Sequence, residues 1–239
     1  MPLLTNNMTS DKAYYDQDVS GSDIEYRKWM QEIEFYFNNY AEKLNNSLIG
    51  VSGKVAELGA GSCGLSACIS RMPTVTQVFA IDISMVRMQK MIASSCEILG
   101  GDATKIMPIA SDFNERLPFE DESLDLIVFD AALHHSRSMW HMLAECNRVL
   151  NKKGLLIAQR EAYLSGIRAG RQLDRLLQTP EVLAKVSENM YLKEQYEYYL
   201  RANGFNPAFI RVAKNKLKSL LWFLNGTVFC DGVIWCNKC

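Results

Sequence analysis

Three glycines and one carboxylate in this chain are spaced for nucleotide chemistry. The segment Gly59-Ala60-Gly61-Ser62-Cys63-Gly64 has the form G-x-G-x-x-G, and Asp82 follows Gly64 by 18 residues. Glycines allow a tight turn and a close approach of backbone to ligand, and a carboxylate at the end of the next strand accepts hydrogen bonds from a ribose diol. The pattern predicts a nucleotide-type cofactor, and it leaves an NAD(P)-dependent oxidoreductase open.

A second carboxylate, Glu57, bears on which cofactor fits. It lies at the end of the apolar run Lys54 to Leu58, directly before the glycines. An acid that faces the cofactor would repel a pyrophosphate, whereas it would attract an ammonium or sulfonium group. Glu57 therefore favours S-adenosylmethionine over a dinucleotide. No Tyr in the chain has a Lys four positions later, so the catalytic pair of short-chain dehydrogenases is missing.

The histidines are the candidate catalytic residues. His134 and His135 follow the apolar run Leu124 to Phe129, and His141 is the third histidine of the chain. An imidazole near a sulfonium methyl could take the proton of an attacking hydroxyl, because its pKa lies close to the working pH. The alternative is that this pair only orients its loop through hydrogen bonds. His141 lies in a predicted helix and is expected in the core or on the surface.

Charged residues beyond the fifth predicted strand could contact a substrate. Arg160 and Glu161 end that strand, where open α/β sheets bind ligands, and Glu161 is a candidate acceptor of a substrate hydrogen bond. Arg168, Arg171 and Arg175 share one helical face and could clamp a phosphate or diphosphate; a solvated basic face explains them equally well. No metal site is predicted, since the terminal Cys236–Cys239 pair has no second ligand pair near it in sequence.

The elements that would position these residues alternate between strand and helix. Apolar runs at 54–58, 75–81, 106–110, 124–129 and 155–158 predict strands, and helices are predicted at 64–71, 84–99 and 138–150, the last closed by Asn151 to Gly154. This alternation predicts a mainly parallel sheet. A helix is expected from Asp23 to Leu44, and two final strands at 209–212 and 227–235. We predict an N-terminal helical cap at 1–50 and a second domain at 51–239 with a helical insertion at about 162–192.

Composition limits the function classes. The chain has 239 residues, 48% apolar and 22% charged, with a formal net charge of -1. No overall basic field attracts nucleic acid, and no run of about 20 apolar residues could span a membrane. Seven cysteines, an odd number spread along the chain, favour reduced thiols, so we expect a cytoplasmic protein.

Five segments in unbroken order from Val55 to Gln159 resemble the class I S-adenosylmethionine-dependent methyltransferases, and within them the small-molecule and sugar-modifying members of methyltransferase-11 type. Each of four segments contains one acid of the family pattern, namely Glu57, Asp82, Asp112 and Asp130. These acids are separated by 25, 30 and 18 residues. The fifth runs from Glu145 to Ile157. One position departs from the family pattern: the usual third glycine of G-x-G-x-G is Cys63 here.

The resemblance implies a fold and a set of site residues. The fold is α/β and Rossmann-like, a mainly parallel seven-stranded sheet with helices on both faces, an antiparallel last strand and an N-terminal helical cap. Asp82 would bind the ribose, Ile83 would pack on the adenine, Asp112 and Phe113 would hold its edge, and Glu57 would face the methionine end. The full set implied for the cofactor is Glu57, Gly59, Ala60, Gly61, Asp82, Ile83, Arg87, Ser111, Asp112, Phe113, Asp130 and Ala131.

The implied reaction is methyl transfer from S-adenosylmethionine to an oxygen or nitrogen of a small-molecule, sugar or glycan-precursor acceptor, which releases S-adenosylhomocysteine. His134 and His135 would be catalytic, and Glu161, Arg168 and Arg171 would bind the substrate. A non-catalytic subunit that only binds the cofactor stays open. A nucleic-acid methyltransferase is disfavoured, because no Pro-Pro-Tyr-type signature follows Asp130. The acceptor and the oligomeric state are left open.

Overall fold

A computed structural model describes residues 8–17, 23–161, 163–164, 178, 183, 188–212 and 232–239. Its helices are α1 Met8–Gln17, α2 Asp23–Asn38, α3 Ala41–Ser47, α4 Gly64–Ser70, α5 Met85–Leu99, α6 Met139–Val149 and α7 Lys193–Ala202. Its strands are β1 Lys54–Leu58, β2 Gln77–Asp82, β3 Ile106–Ala110, β4 Leu124–Asp130, β5 Leu150–Gln159, β6 Tyr163–Leu164, β7 Tyr191–Leu192, β8 Phe205–Arg211 and β9 Gly232–Lys238.

Seven strands form one sheet in the order β3-β2-β1-β4-β5-β9-β8. The first five are parallel, whereas β9 runs antiparallel to both β5 and β8. This confirms the predicted mixed sheet. The strand order reverses between β1 and β4, and loops that leave two such strands in opposite directions open a crevice at their carboxyl ends. The glycine segment leaves β1 at this point.

Alternating residues of the central strands bury both faces of the sheet. Leu126 and Val128 of β4 face a core layer that includes Met30, Ile33, Leu65 and Met88 from α2, α4 and α5. The intervening Ile127 and Phe129 face a second layer, with the following residues of α6 and α7: Met142, Leu143, Tyr196 and Leu200. Because strand side chains alternate between the faces, a continuous apolar run serves both layers. Helices therefore cover both faces, as predicted.

The N-terminal helices are joined to the sheet domain by polar as well as apolar contacts. Arg71 of α4 forms an ion pair with Glu34 of α2 at 2.7 Å, and the Tyr26 hydroxyl lies 2.5 Å from Ser95 Oγ of α5. Tyr40, between α2 and α3, donates a 2.8 Å hydrogen bond to Gln159 at the end of β5. These helices therefore fix one wall of the crevice.

Several boundaries differ from the sequence prediction. The strand predicted at 209–212 is Phe205–Arg211. The helix from Asp23 ends at Asn38, and α3 follows after two residues. Residues 151–154 do not close α6 as a turn, because Leu150 already pairs with Leu124 and β5 begins there. The last strand is Gly232–Lys238, later than predicted. Most of the predicted insertion at 162–192 lies outside the described residues, as do residues 213–231. In the described part, no helix has the length and apolarity to cross a bilayer.

Candidate active site

A cavity of about 280 Å³ lies at the carboxyl ends of β1, β2 and β4, under α1 and α2. Ten predicted cofactor residues meet on its wall, namely Gly59, Ala60, Gly61, Asp82, Ile83, Arg87, Asp112, Phe113, Asp130 and Ala131. His135 also lines it. The wall further includes Asp11, Tyr15, Trp29, Ser62, Asn114, Ala132 and Arg160. The fold therefore brings distant motifs to one place.

The glycine segment forms a tight turn that is hydrogen-bonded to β2. The N–H groups of Gly59 and Ala60 both donate to the Ile81 carbonyl at 2.9 Å. Gly59 has φ +72°, and a Cβ there would lie 2.7 Å from the Ala132 Cβ, so a side chain cannot be placed without a shift. Cys63 has φ 59°, a left-handed conformation, and stands at the N-cap of α4. The turn thus keeps a glycine-like backbone at the position where the family pattern is broken.

Asp82 connects this turn to the start of α5. Its Oδ2 accepts from Gly61 N and its Oδ1 accepts from Ser84 N, both at 2.8 Å. Burial raises the pKa of the Asp82 carboxyl, while the hydrogen bonds from Ser84 and Gly61 act in the opposite direction. Each carboxylate oxygen can accept a second hydrogen bond, so Asp82 can hold the turn and still receive ribose hydroxyls.

Glu57 lies beneath the turn rather than on the cavity wall formed by the described residues. Its carboxylate is 1% exposed and accepts hydrogen bonds from the backbone N–H of Ser66, at 2.7 Å, and from the Ser66 hydroxyl. Burial raises the pKa of Glu57 to about 8, against the effect of the Ser66 hydrogen bond. Its partner in this structure is the first turn of α4, and its contact with the methionine end of the cofactor stays a prediction.

Asp112 is held by a residue that the sequence analysis did not identify. Its Oδ1 accepts from Asn114 N at 2.8 Å, and its Oδ2 pairs with the Arg137 guanidinium. Arg137 N in turn donates to Asn114 Oδ1 at 2.6 Å. Arg137 lies two residues after His135 and joins the adenine-side loop to the histidine loop. No spacing rule could have found it, because this pairing exists only in the folded chain.

The N-terminal helix α1 supplies the wall opposite the turn. Asp11 and Tyr15 line the cavity, and Asp16 accepts a 2.5 Å hydrogen bond from Ser84 Oγ at the start of α5. The Arg87 guanidinium lies 5.8 Å from the Tyr15 ring centroid and 5.9 Å from that of Trp29. Arg87 thus contacts aromatic faces of both helices, within the range of a cation–π interaction.

His134 and His135 belong to a buried polar cluster with two glutamates. Glu161 Oε2 lies 2.8 Å from His134 Nδ1, while Glu161 Oε1 accepts from Ala132 N and Leu133 N at 2.9 and 2.8 Å. Burial acts to raise the pKa of Glu161. The His134 ring and these hydrogen bonds lower the pKa by more than burial raises it, so it lies below its ordinary value. Glu188 completes the cluster, with Oε2 3.1 Å from His135 Nδ1.

The remaining predicted residues lie elsewhere. His134, Glu161 and Ser111 are outside the described wall, and the oxygens of Glu161 are already used on its own loop. Glu161 therefore orients His134, and its predicted contact with substrate stays a prediction. Arg168 and Arg171 lie outside the described residues. Glu188, in the predicted insertion, carried no signal in sequence because its partners are more than fifty residues away.

The chemistry of the wall selects between the two cofactors that the glycine pattern allows. Four wall residues are aspartates and two are arginines; of the arginines, Arg160 is paired with Asp130 and Arg87 lies against aromatic rings. A pyrophosphate would meet more negative than positive charge there. A ligand with a sulfonium and an ammonium group fits this charge balance better.

Comparisons agree with this choice. The family model described as "Methyltransferase domain" matches residues 56–158. A solved geranyl diphosphate C-methyltransferase of Streptomyces coelicolor A3(2), in complex with Mg²⁺, geranyl diphosphate and S-adenosyl-L-homocysteine, has a TM-score of 0.62 at 10% identity, over 98% of each chain. A SAM-dependent methyltransferase of Aquifex aeolicus has a TM-score of 0.55 at 17% identity, over 83% of this chain and 89% of that one. No curated protein matches the chain.

The matched domain contains the resembling segments from Glu57 to Ile157, and the solved structures share its fold. The glycine turn, the Asp82 carboxylate and the acidic wall all meet at the strand-order reversal of that fold. The oxidoreductase alternative is therefore set aside. Residues 56–158 form a methyltransferase domain of the methyltransferase-11 type, and the chain has the fold of the class I S-adenosylmethionine-dependent methyltransferases.

Proposed function

We propose that this enzyme binds S-adenosylmethionine in the cavity with the ribose on Asp82 and transfers the methyl group to an oxygen or nitrogen of a small-molecule acceptor, a sugar or glycan precursor being our first candidate. The observation that carries the proposal is the single wall that joins the glycine turn, Asp82 and Asp112 to His135. When bound, the cofactor supplies an electrophilic sulfonium methyl.

The adenosine half would lie between β2 and the loop after β3. Ile83 and Phe113 offer apolar surfaces on this part of the wall. Asp82, which already accepts from Gly61 N, lies on the same wall. Asp112, fixed by Arg137, would accept from the adenine amino group. The methionine half would then lie over Gly59 to Gly61 and toward Asp130, because these residues form the rest of the same wall.

The acceptor would approach from the side of His135 and Arg160. Tyr15 and Trp29 are aromatic wall residues on this side, and aromatic faces suit the apolar face of a sugar or another ring. An acceptor held in line with the methyl needs little more than alignment for catalysis. The near-neutral chain, with a net charge of -1, offers no field for nucleic acid.

His135 is the candidate base on this side. Glu188 Oε2, at 3.1 Å, is placed to accept the Nδ1 proton of His135. In that tautomer Nε2 carries the lone pair and can take the proton of an attacking hydroxyl. His134, which pairs with Glu161, is a positioning residue in this proposal. Its ring lies against that of His135 at a tilt of 42°, with the ring centroids 4.3 Å apart.

Two measurements test the proposal. The first compares Asp82→Ala with Asp102→Ala in calorimetric titrations with S-adenosylmethionine. Asp102 also caps a backbone N–H, that of Thr104, but it is exposed and lies outside the cavity. We expect Asp82→Ala to lose at least about tenfold in affinity, and Asp102→Ala to bind like the parent. Equal affinity in all three proteins would remove the ribose assignment.

The second measurement searches for the acceptor. Metabolite pools are incubated with enzyme and isotopically labelled S-adenosylmethionine, and products that gain a labelled methyl are identified by mass spectrometry. With that acceptor, His135→Ala should lose about 10²-fold or more in kcat while it keeps cofactor affinity, and the exposed His141→Ala should match the parent. Full turnover of His135→Ala would overturn the base assignment. Cofactor binding with no methylated product in any pool would favour the non-catalytic alternative.

A further inference from the structure

The loop after β4 and the residue Glu188 bring four metal-ligating side chains together. His134 Nε2 lies 3.6 Å from Glu188 Oε1, and His135 Nδ1 lies 3.1 Å from Glu188 Oε2. Ligand atoms of these three residues all lie within 4.8 Å of one another. The fourth residue, Glu161, contacts the far nitrogen of the His134 ring at 2.8 Å.

The contact between Glu161 and His134 decides which atom of that ring points into the cluster. A carboxylate at Nδ1 holds the proton on Nδ1, so Nε2 is the ring atom that faces the Glu188 carboxylate, at 3.6 Å. This separation fits a positive charge between the two atoms, carried either by a proton on Nε2 or by a metal ion that replaces it.

The charge balance of the cluster points the same way. Two carboxylates, Glu161 and Glu188, flank two imidazoles, and the side chains of these residues are between 1% and 22% exposed. The neighbouring Asp130 is already paired with Arg160. Two carboxylates in a buried setting favour a positive charge among the four side chains, which a protonated imidazole or a bound metal ion supplies.

We propose that His134, His135 and Glu188 form a binding site for a divalent transition-metal cation of the zinc type. Two imidazole nitrogens and a carboxylate are ligands for zinc and its neighbours, rather than for Mg²⁺, which prefers oxygen. Tetrahedral zinc with bonds of about 2.1 Å separates its ligand atoms by about 3.4 Å. The two nitrogen-to-oxygen separations to Glu188, 3.6 Å from His134 and 3.1 Å from His135, lie on either side of that value.

The arrangement around the three ligands is that of a built site. Glu161 provides the outer carboxylate that fixes the tautomer of a metal-bound histidine. Glu188 is held in place by its neighbour Asn189, whose side-chain amide donates to the carbonyls of His134 and Ser136 at 3.1 and 3.0 Å. Three protein ligands leave a coordination position for another donor, and His135 places that position beside the cavity.

One consequence concerns catalysis and rests on the proposed function. Coordination through Nδ1 places the ring proton of His135 on Nε2, so the metal-loaded ring cannot accept a proton from the acceptor. Zinc would thus convert His135 from base to ligand. Turnover should fall as the site fills and recover on chelation, whereas cofactor affinity should not change.

The test titrates chelator-treated protein with Zn²⁺ alone by calorimetry, in a Cys239→Ser background that removes the one exposed thiol of the described residues. We expect one Zn²⁺ per chain, and a Co²⁺ visible spectrum without thiolate charge transfer. His135→Ala and Glu188→Gln should each lose at least about tenfold in Zn²⁺ affinity, while the exposed His141→Ala and Glu194→Gln bind like the background. Mg²⁺ should produce no heat and no shift in melting temperature.

Binding of S-adenosylmethionine reports that each variant is folded, and Glu188→Asp, which keeps a shortened carboxylate, serves if Glu188→Gln does not fold. Absence of Zn²⁺ binding, or affinity unchanged by both His135→Ala and Glu188→Gln, would overturn the metal site. If Zn²⁺ binds through these residues without slowing turnover, the metal site stands and the base assignment of His135 fails. If Zn²⁺ does not bind but His135→Ala slows turnover, the metal site fails and the base assignment of His135 stands.

Discussion

Arg160 donates two hydrogen bonds of 2.7 Å to the two carboxylate oxygens of Asp130, across the carboxyl ends of β4 and β5. Asp130 also accepts from Gln159 Nε2 at 2.9 Å, and Gln159 accepts from Tyr40. This chain of contacts joins the sheet to the N-terminal helices. Asp130 is therefore a fixed part of the cavity wall, with its charge balanced within the protein.

Breaking this pair should destabilise the fold. Asp130→Asn removes the carboxylate that accepts two hydrogen bonds from Arg160, whose side chain is 12% exposed, and keeps the 3.9 Å contact of Arg160 with Glu32. We expect a loss of about 3 kcal/mol, which lowers the melting temperature by about 6–12 °C in a domain of this size. The matched control is Asp23→Asn, because Asp23 and its partner Arg27 are 76% and 55% exposed, and it should cost less than about 1 kcal/mol. Similar melting temperatures for both variants would contradict the prediction.

The close approach of Gly59 to the histidine loop should make this glycine irreplaceable. Gly59→Ala places a Cβ 2.7 Å from the Ala132 Cβ and adds a side chain at φ +72°. Gly100→Ala has the same kind of backbone, φ +68°, with nothing within 4 Å. The control should therefore show only the left-handed penalty of about 1–2 kcal/mol.

We expect Gly59→Ala to melt below Gly100→Ala and to bind S-adenosylmethionine at least about tenfold more weakly. Thermal melts and calorimetry on the two purified variants measure both effects. Gly59→Ala that behaves like Gly100→Ala would mean that the turn can move away from Ala132 at no cost.

The raised pKa of Glu57 predicts a pH dependence of stability. The folded protein keeps a proton on Glu57 up to about pH 8, whereas the unfolded chain releases it near the ordinary value of 4.5. Between these values the folded state binds more protons, so stability falls as the pH rises. Glu57→Gln keeps an oxygen for the Ser66 hydrogen bonds and has no proton to lose.

The unfolding free energy of Glu57→Gln minus that of the parent should therefore increase from about pH 5 to pH 8 and then level off. Denaturant titrations at several pH values measure it, and all other titrating groups cancel in the difference. The exposed Glu194→Gln should show a constant difference. A flat difference for Glu57→Gln as well would show that this carboxyl is ionised in the folded protein across the whole range.

The local sequence determined the strands, the cofactor class and most of the cofactor side of the cavity. Apolar runs, the glycine turn and the acid that ends β2 are signals within a few residues, and a parallel sheet places such strand ends side by side. For this reason Gly59, Asp82, Asp112 and His135 were predicted as one site, and they share one wall.

Only the tertiary structure decided the partners of these residues. Glu57 points to Ser66 and not to the cavity, Arg137 holds Asp112, and Glu188 faces both histidines. The sequence does not show which group a carboxylate contacts. Whether it faces a ligand, a helix terminus or a histidine depends on side-chain packing between segments that are far apart in the chain. Contacts of that kind arise from burial and topology, which a spacing pattern does not encode.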